Sequence, residues 1–327
     1  MDIRLLAVVL ATSGVVLGGV VGTACVGTDP ALTGADGPES GIANEASTAD
    51  GSSPSTDDGS VVTTDAKSGA DSEAGGEAGA WTPKSGLPGL ALWLDSTVGV
   101  TFDGSAKLTS WLDQSGNGNN GTVSAPCVGP RLAASSLNGR DTLAFSETGG
   151  IGACVSVADV VSLQFGTGDF AMFMVARYTN IPDLLGAGDS TATFFAKVQV
   201  ASPATGAHLF GNTSSDAKLQ LWLSNQSGNQ ALGATGALNN NVFHRFGATR
   251  RGLDLEVWVD GASDGKVTLG GAADLSQVGR PLDIGGVPES SRSSLLGNIA
   301  EVVVIKGNAT NAKLADLDAY FKAKHGL

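Results

Sequence analysis

Three groups of residues in this chain have types and spacings that could do chemistry. In the stretch "WLDQSGNGNNGT", residues 111–122, oxygen-bearing side chains stand at alternate positions: Asp113, Ser115, Asn117 and Asn119. This order matches the first half of a calcium loop, whose ligands come from alternate positions. The twelfth position from Asp113, where such a loop closes on a bidentate Glu, is Ser124. One carboxylate with neutral amides makes a weak cation site at best. Short Asp and Asn side chains interleaved with Gly also build tight turns by bonding to nearby backbone. A turn is therefore expected, a weak calcium site is the alternative, and no other cofactor is implied.

The second group is Asp254, Glu256 and Asp260 in "LDLEVWVDG". On a strand, alternate residues share a face and lie roughly 6.7 Å apart, a separation between those of retaining and inverting glycosidase carboxylates. Leu253, Leu255, Val257 and Val259 take the other face, so acids here are also what any half-exposed strand shows. Glycoside hydrolysis is the least favoured reading. The third group is aromatic. In "KLQLWLS", Leu219, Leu221 and Leu223 share one face and leave Gln220, Trp222 and Ser224 on the other; the same parity puts Trp258 beside Glu256. An indole flanked by amides and carboxylates offers a sugar ring a flat apolar platform with polar groups at its rim. Trp222, Trp258, Gln220, Asp254 and Glu256 are thus the candidate ligand-binding residues, on the expectation that both strands belong to one sheet. Packing beneath a loop or the last helix is the plainer alternative for either Trp, and Trp93 and Trp111 are read as core.

Other chemistries find little support. There are 3 His residues, His208, His244 and His325, and none has a second ligand residue near it in sequence, as a zinc site requires. No Gly-x-Ser-x-Gly elbow occurs. The Gly-rich runs "GTGDF", "GAGDS" and "GGAAD" lack the strand-to-helix setting of a phosphate loop. No catalytic residue is assigned.

The elements that must position these groups are short segments of alternating polarity separated by Gly, Asn, Asp and Pro, the pattern of a sandwich or barrel. They include "LALWLD", "TLAFS", "CVSV", "DFAMFMVARY", "TFFAKVQV", "KLQLWLS", "VFHRFGAT", "LDLEVWVDG", "RPLDIGG" and "IAEVVVIKG". "VDGASDG" signals a hairpin. The chain closes on a short amphipathic helix with Leu314, Leu317 and Phe321 on one face, Asn311 as N-cap and Gly326 as stop. The runs "LALWLDSTVGVT", "KLTSWLDQSGNGNNGT", "DLEVWVDG", "RPLDIGG" and the terminal "GNIAEVVVIKG" resemble the bacterial laminin-G-like, concanavalin-A-like lectin/glucanase domains over roughly residues 88–327. The resemblance implies an all-β fold, a two-sheet antiparallel jelly-roll sandwich with a short C-terminal helix. Family members include lectins, adhesion modules and hydrolases, so function is not fixed by the resemblance.

Charge is unevenly placed. The chain has 47 Gly and a formal charge of −13, yet residues 26–80 hold 11 acidic residues against the single Lys67 and no aromatic residue. Such a segment cannot bury enough apolar area to fold, and residues 25–80 are expected to be a disordered acidic stalk. The acidic balance also argues against nucleic acid as a partner. Residues 1–24 read as a signal peptide. The apolar run followed by Gly22, Thr23 and Ala24 before Cys25 resembles a bacterial lipobox, which implies lipidation at Cys25. An ordinary signal peptide or an uncleaved anchor would not need that Cys. Residues 81–327 then form one exported domain, in which Cys127 and Cys154 are the remaining thiols and are expected to pair.

The expected whole is a lipid-anchored binding module on the outer membrane or cell surface, touching the membrane through its anchor alone. Its partner is expected to be a carbohydrate or cell-surface polymer. A module contacting protein is the rival. The mature N-terminus is predicted to be a lipidated Cys25, which mass spectrometry of the membrane-extracted protein would show. An unmodified N-terminus at another residue would refute it.

Overall fold

Alternation along the chain sets which side chains meet between two antiparallel sheets. In a computed structural model, residues 80–148, 151–179, 191–199, 205–212, 216–225, 229–288 and 290–327 are described. All of them lie in the unit Ser72–Leu327. The proposed signal peptide, stalk and Cys25 fall outside the described residues.

The first sheet runs in the order Ala262–Thr268, Asp254–Val259, His244–Arg251, Phe170–Tyr178, Gly297–Lys306, Arg140–Phe145, Arg131–Leu137. Gly297–Lys306 is its spine. One edge pairs with Phe170–Tyr178 throughout, and the other is shared by Leu90–Asp95 and Arg140–Phe145. The second sheet runs Asn229–Leu232, Leu219–Asn225, Thr205–Asn212, Thr191–Gln199, Leu282–Ile284, Val155–Val157, Gly121–Thr122, Leu108–Trp111, Val100–Phe102. Inward residues of both sheets form one core that includes Met172, Met174, Phe246, Phe194, Leu221 and Ile284. Within it Phe194 stacks on Phe246 with ring centroids 4.6 Å apart. The expected all-β sandwich with a short C-terminal helix is the observed one. Cys127 and Cys154 are joined by a disulfide with Cα atoms 5.5 Å apart, as expected; the chain-entropy model assigns such a loop about 3.5 kcal/mol.

Local signals account for the turns and caps. Asp260 and Gly261 take φ of 53° and 82°, the doubly left-handed geometry of a two-residue hairpin turn. The last helix, Asn311–His325, is capped by Thr310, whose side chain accepts from Lys313 N, rather than by Asn311 as expected. Thr310 holds the extended φ/ψ a cap needs, whereas Asn311 is already helical. Gly326 ends the helix at φ 68°.

The outer face of the first sheet is covered. Ala171, Phe173, Val175, Trp258, Val303 and Ile305 pack against Leu314, Leu317 and Phe321 of the helix. This is why Phe170–Tyr178 reads as a nearly unbroken apolar run, a strand buried on both faces. Trp111 is core, as expected. Trp93 differs: it sits on this outer face and donates Nε1 to Glu301 Oε1 at 2.6 Å. Glu301, with no exposed surface, also accepts from Tyr320 Oη at 2.8 Å, His325 Nε2 at 2.7 Å and Lys324 Nζ at 2.8 Å. Lys324 Nζ reaches Asp95 Oδ2 at 2.5 Å as well. Burial opposes the Asp95 carboxylate, but the Lys324 charge and bonds from Lys324 and Thr97 outweigh it and hold its pKa below 3.8.

Lys324→Ala would leave Glu301 and Asp95 without their shared cation, and unpairing buried charge costs about 3 kcal/mol or more. The depressed Asp95 pKa contributes stability above the ordinary carboxylate range that is lost only as pH falls through it. The deficit should therefore persist between about pH 5 and about pH 8, as read by urea unfolding. A change smaller than about 1 kcal/mol would show that the cluster does not hold the helix.

Candidate functional site

The two tryptophans proposed to share a sugar face do not meet. The chain crosses from the second sheet to the first between Asn229–Leu232 and His244–Arg251, so Trp222 and Trp258 lie in different sheets, on opposite outer faces. Trp258 is 9% exposed beneath the helix and donates Nε1 to Thr249 Oγ1 at 3.2 Å. The carboxylates beside it are engaged. Glu256 is bonded by Arg251 and Ser263. Asp254 pairs with Lys266 at 2.8 Å and accepts from Thr268 Oγ1 at 2.6 Å; the Lys266 bond, then the Thr268 bond, lowers its pKa. Asp260 holds His244 Nδ1 at 2.8 Å and Arg245 N at 3.0 Å. A general acid needs a raised pKa, and the shift at Asp254 runs the other way.

On the second sheet, alternation places Gln220 and Trp222 outward, opposite the buried Leu219, Leu221 and Leu223, as expected. The pairing register then extends this position across the sheet. Trp222 faces His208, His208 faces Ala196, and Ala196 faces Asp283. Asp283 faces Ser156, Ser156 faces Thr122, and Thr122 faces Ser110. One lateral line thus carries an indole, an imidazole, a carboxylate and three hydroxyls. From Trp222 to Thr122 it spans five strand spacings, roughly 24 Å.

Part of this line is the floor of a groove of about 290 Å³ lined by Thr122, Ser156, Val198, Arg280, Asp283 and Val287. Ser156 Oγ donates to Asp283 Oδ1 at 2.5 Å. At one end Trp222 packs on the apolar island of Ala196, Val198 and Val287 and stays partly exposed. The His208 ring packs on Phe210, with centroids 4.7 Å apart, and its Nε2 lies 2.9 Å from Thr193 Oγ1. Although an edge of the ring remains accessible, burial lowers its pKa to about 4, so it is neutral at pH 7. Among the described residues the short helix Pro83–Gly86 and the terminal helix both lie against the first sheet.

His208, Asp283, Ser156, Thr122 and Arg280 were missed from sequence. Asp283 and Ser156 do alternate with apolar neighbours in "LDI" and "VSV", which marks them as outward-facing. The register that aligns them depends on strands more than a hundred residues apart.

The Asp113 loop is occupied by its own protein. Asp113 Oδ1 accepts from Trp93 N at 3.0 Å and Ser115 N at 2.9 Å, and Oδ2 accepts from Ser115 Oγ at 2.7 Å and Asn119 N at 3.0 Å. Asn117 and Asn119 donate to the carbonyls of Leu90 and Ala91 at 2.8 and 2.7 Å. These bonds fasten the loop to the first strand of the sandwich. Among the described residues no three His, Cys, Asp or Glu side chains could together hold a metal ion.

No family model matches the chain, and no curated protein matches it. Solved structures do. The binding domain of Paraclostridial Mosquitocidal Protein 1 is 14% identical, covering 73% of this chain and 53% of that one, with a TM-score of 0.52. The Botulinum neurotoxin serotype G binding domain is 9% identical over 72% of this chain and 51% of that one, with a TM-score of 0.51. The chain thus spans about half of each. At these identities the likeness is one of fold, the two-sheet β sandwich.

Asp113→Ala removes an acceptor from four donors and should lower stability by about 2 to 3 kcal/mol, equally with and without chelator, as measured by chemical unfolding. A calcium-dependent stabilisation of the wild type that the variant lacks would establish the cation site instead.

Proposed function

We propose that this chain is a non-catalytic binding module that holds a carbohydrate on the outer face of its second sheet. The observation that carries this reading is the single register line from Trp222 through His208, Asp283 and Ser156 to Thr122, of which Asp283, Ser156 and Thr122 line a groove of about 290 Å³. A sugar presents hydroxyls that both donate and accept, set around a ring with an apolar face. The Asp283 carboxylate and the Ser156 and Thr122 hydroxyls suit the first property. The Trp222 indole suits the second. A neutral His208 adds hydrogen bonding without a charge.

The laminin-G-like resemblance is compatible with this reading, and the two solved structures described above are binding domains of other proteins. With Cys25 lipidated, the acidic stalk would hold many copies clear of the membrane, and multivalency would compensate for a shallow groove of weak intrinsic affinity. A module contacting protein is the second reading. It is favoured by Val161, in the 3-10 turn Val161–Leu163, and Val278, 76% and 75% exposed, on segments that both bond to Asp159 through Gln164 Nε2 and Gly279 N.

The test takes a polysaccharide that the full chain retains, selected on a glycan array. Trp222→Ala and Asp283→Asn should each weaken retention about tenfold, equivalent to about 1.4 kcal/mol, while Trp258→Ala lowers stability without changing retention. Because the His208 pKa lies near 4, retention should not fall between about pH 8 and about pH 6; below that range the depressed pKa makes the fold itself lose stability as pH drops. Unchanged retention by folded Trp222→Ala and Asp283→Asn would move the site elsewhere. Retention of a protein but of no glycan would favour the second reading.

A further inference from the structure

A second cavity, on the opposite side of the molecule, is lined by different chemistry. It has a volume of about 230 Å³ between the closing helix and the first sheet, and its walls include Phe173, Trp258, Leu314 and Phe321. All four side chains belong to the apolar layer beneath the helix. Ala315, which is exposed, stands at its mouth. Apolar cavities of about 150 Å³ stay dry and accept benzene, so this one has room for a single six-membered ring with a small substituent.

One wall is polar. Arg245 donates Nε to Asp318 Oδ1 at 2.5 Å and Nη2 to the Asp260 carbonyl at 2.9 Å. Its Nη1 lies 3.7 Å from Asp260 Oδ1, beyond hydrogen-bonding distance, and makes no hydrogen bond among the described residues. Arg245 thus brings a nitrogen with no protein acceptor to a polar wall that it shares with Asn311 and Asp318, opposite the apolar one. The charges around it are balanced, since Asp318 also pairs with Lys322 at 2.7 Å and Asp260 with Arg245. With two carboxylates already there, a neutral acceptor is favoured over an anion.

We infer that the cavity beneath the closing helix is a second binding site, independent of the sheet face, for a small neutral single-ring molecule that gives one oxygen acceptor to Arg245 Nη1. The ring displaces no polar partner on Phe173, Leu314 and Phe321, and the oxygen satisfies the remaining guanidinium nitrogen.

4-Fluorophenol and fluorobenzene, titrated against the full chain and followed by fluorine NMR, test this. The phenol should bind saturably with a dissociation constant of about 1 mM or tighter, and about threefold or more tighter than fluorobenzene. Ala315→Phe, at an exposed helical position, fills the mouth and should weaken binding at least about tenfold while the melting temperature is kept; Ala315→Leu should give an intermediate loss. Absence of saturable binding by wild type, or equal binding by Ala315→Phe, would overturn the site. Equal binding of phenol and fluorobenzene would overturn the role of Arg245. Neither result depends on whether the Trp222 face takes a sugar.

Discussion

Glu301 is an ion in an apolar layer. On the outer face of the spine strand it alternates with Val303 and Ile305 and has no exposed surface. Removing a carboxylate from water costs several kcal/mol unless its lone pairs are matched. Here Trp93 from the first strand and Tyr320, Lys324 and His325 from the last helix supply four donors. Positions 320, 324 and 325 share one side of the final helical turns, so the requirement fixes both the place and the rotation of the helix. The Gly326 cap then stops it where His325 can still reach. The ends of the domain are locked to its central strand through one side chain.

That lock decides which outer face the helix covers. The helix seated on the first sheet covers part of that face and leaves a small cavity beside it, whereas part of the polar line on the corresponding face of the second sheet floors a groove. The strands beneath the groove are short, two or three residues in Gly121–Thr122, Val155–Val157 and Leu282–Ile284. Such strands hold little ladder energy of their own. The disulfide offsets this by tying Cys127, just beyond Gly121–Thr122, to Cys154, the residue before Val155–Val157. The groove-lining Ser124 and Ala125 lie between the second strand end and the bridge, so the covalent link fixes the groove's edge as well as the fold.

Period-two alternation made most of the sandwich legible in sequence. It identified Leu219, Leu221 and Leu223 as core and Trp222 as outward, while the Asp-Gly turn marked the "VDGASDG" hairpin and helical spacing with cap residues marked the terminal helix. Thr205–Asn212 escaped because Gly206 and Gly211 interrupt its pattern, yet Gly206 is required there: a Cβ would lie 2.0 Å from the Lys197 carbonyl. The pairing of Trp222 with Trp258 failed for a different reason. Parity says which face of its own strand a side chain takes, but sheet membership depends on long-range pairing, and here the chain changes sheets between the two. Asp283 and Ser156 were hidden by the same nonlocality, being 127 residues apart in sequence while their side chains bond.

The same residue types serve two ends, and what separates them is where their hydrogen bonds go. Asp113 meets four donors within its own fold, three of them backbone N–H groups or a neighbour's hydroxyl in the same turn. Its charge is spent on holding the loop against the first strand, so its spacing resembles a cation site while its chemistry is that of a turn. Asp283 sits instead on a strand, with a Ser hydroxyl on one oxygen and a groove above it. A carboxylate that a turn surrounds fastens that turn; one on the outward face of a sheet lines a groove, here three strand spacings from the Trp222 indole. The polar line owes its position to the apolar alternation of the strands that carry it, since every outward residue in it is set by an inward neighbour packed in the core.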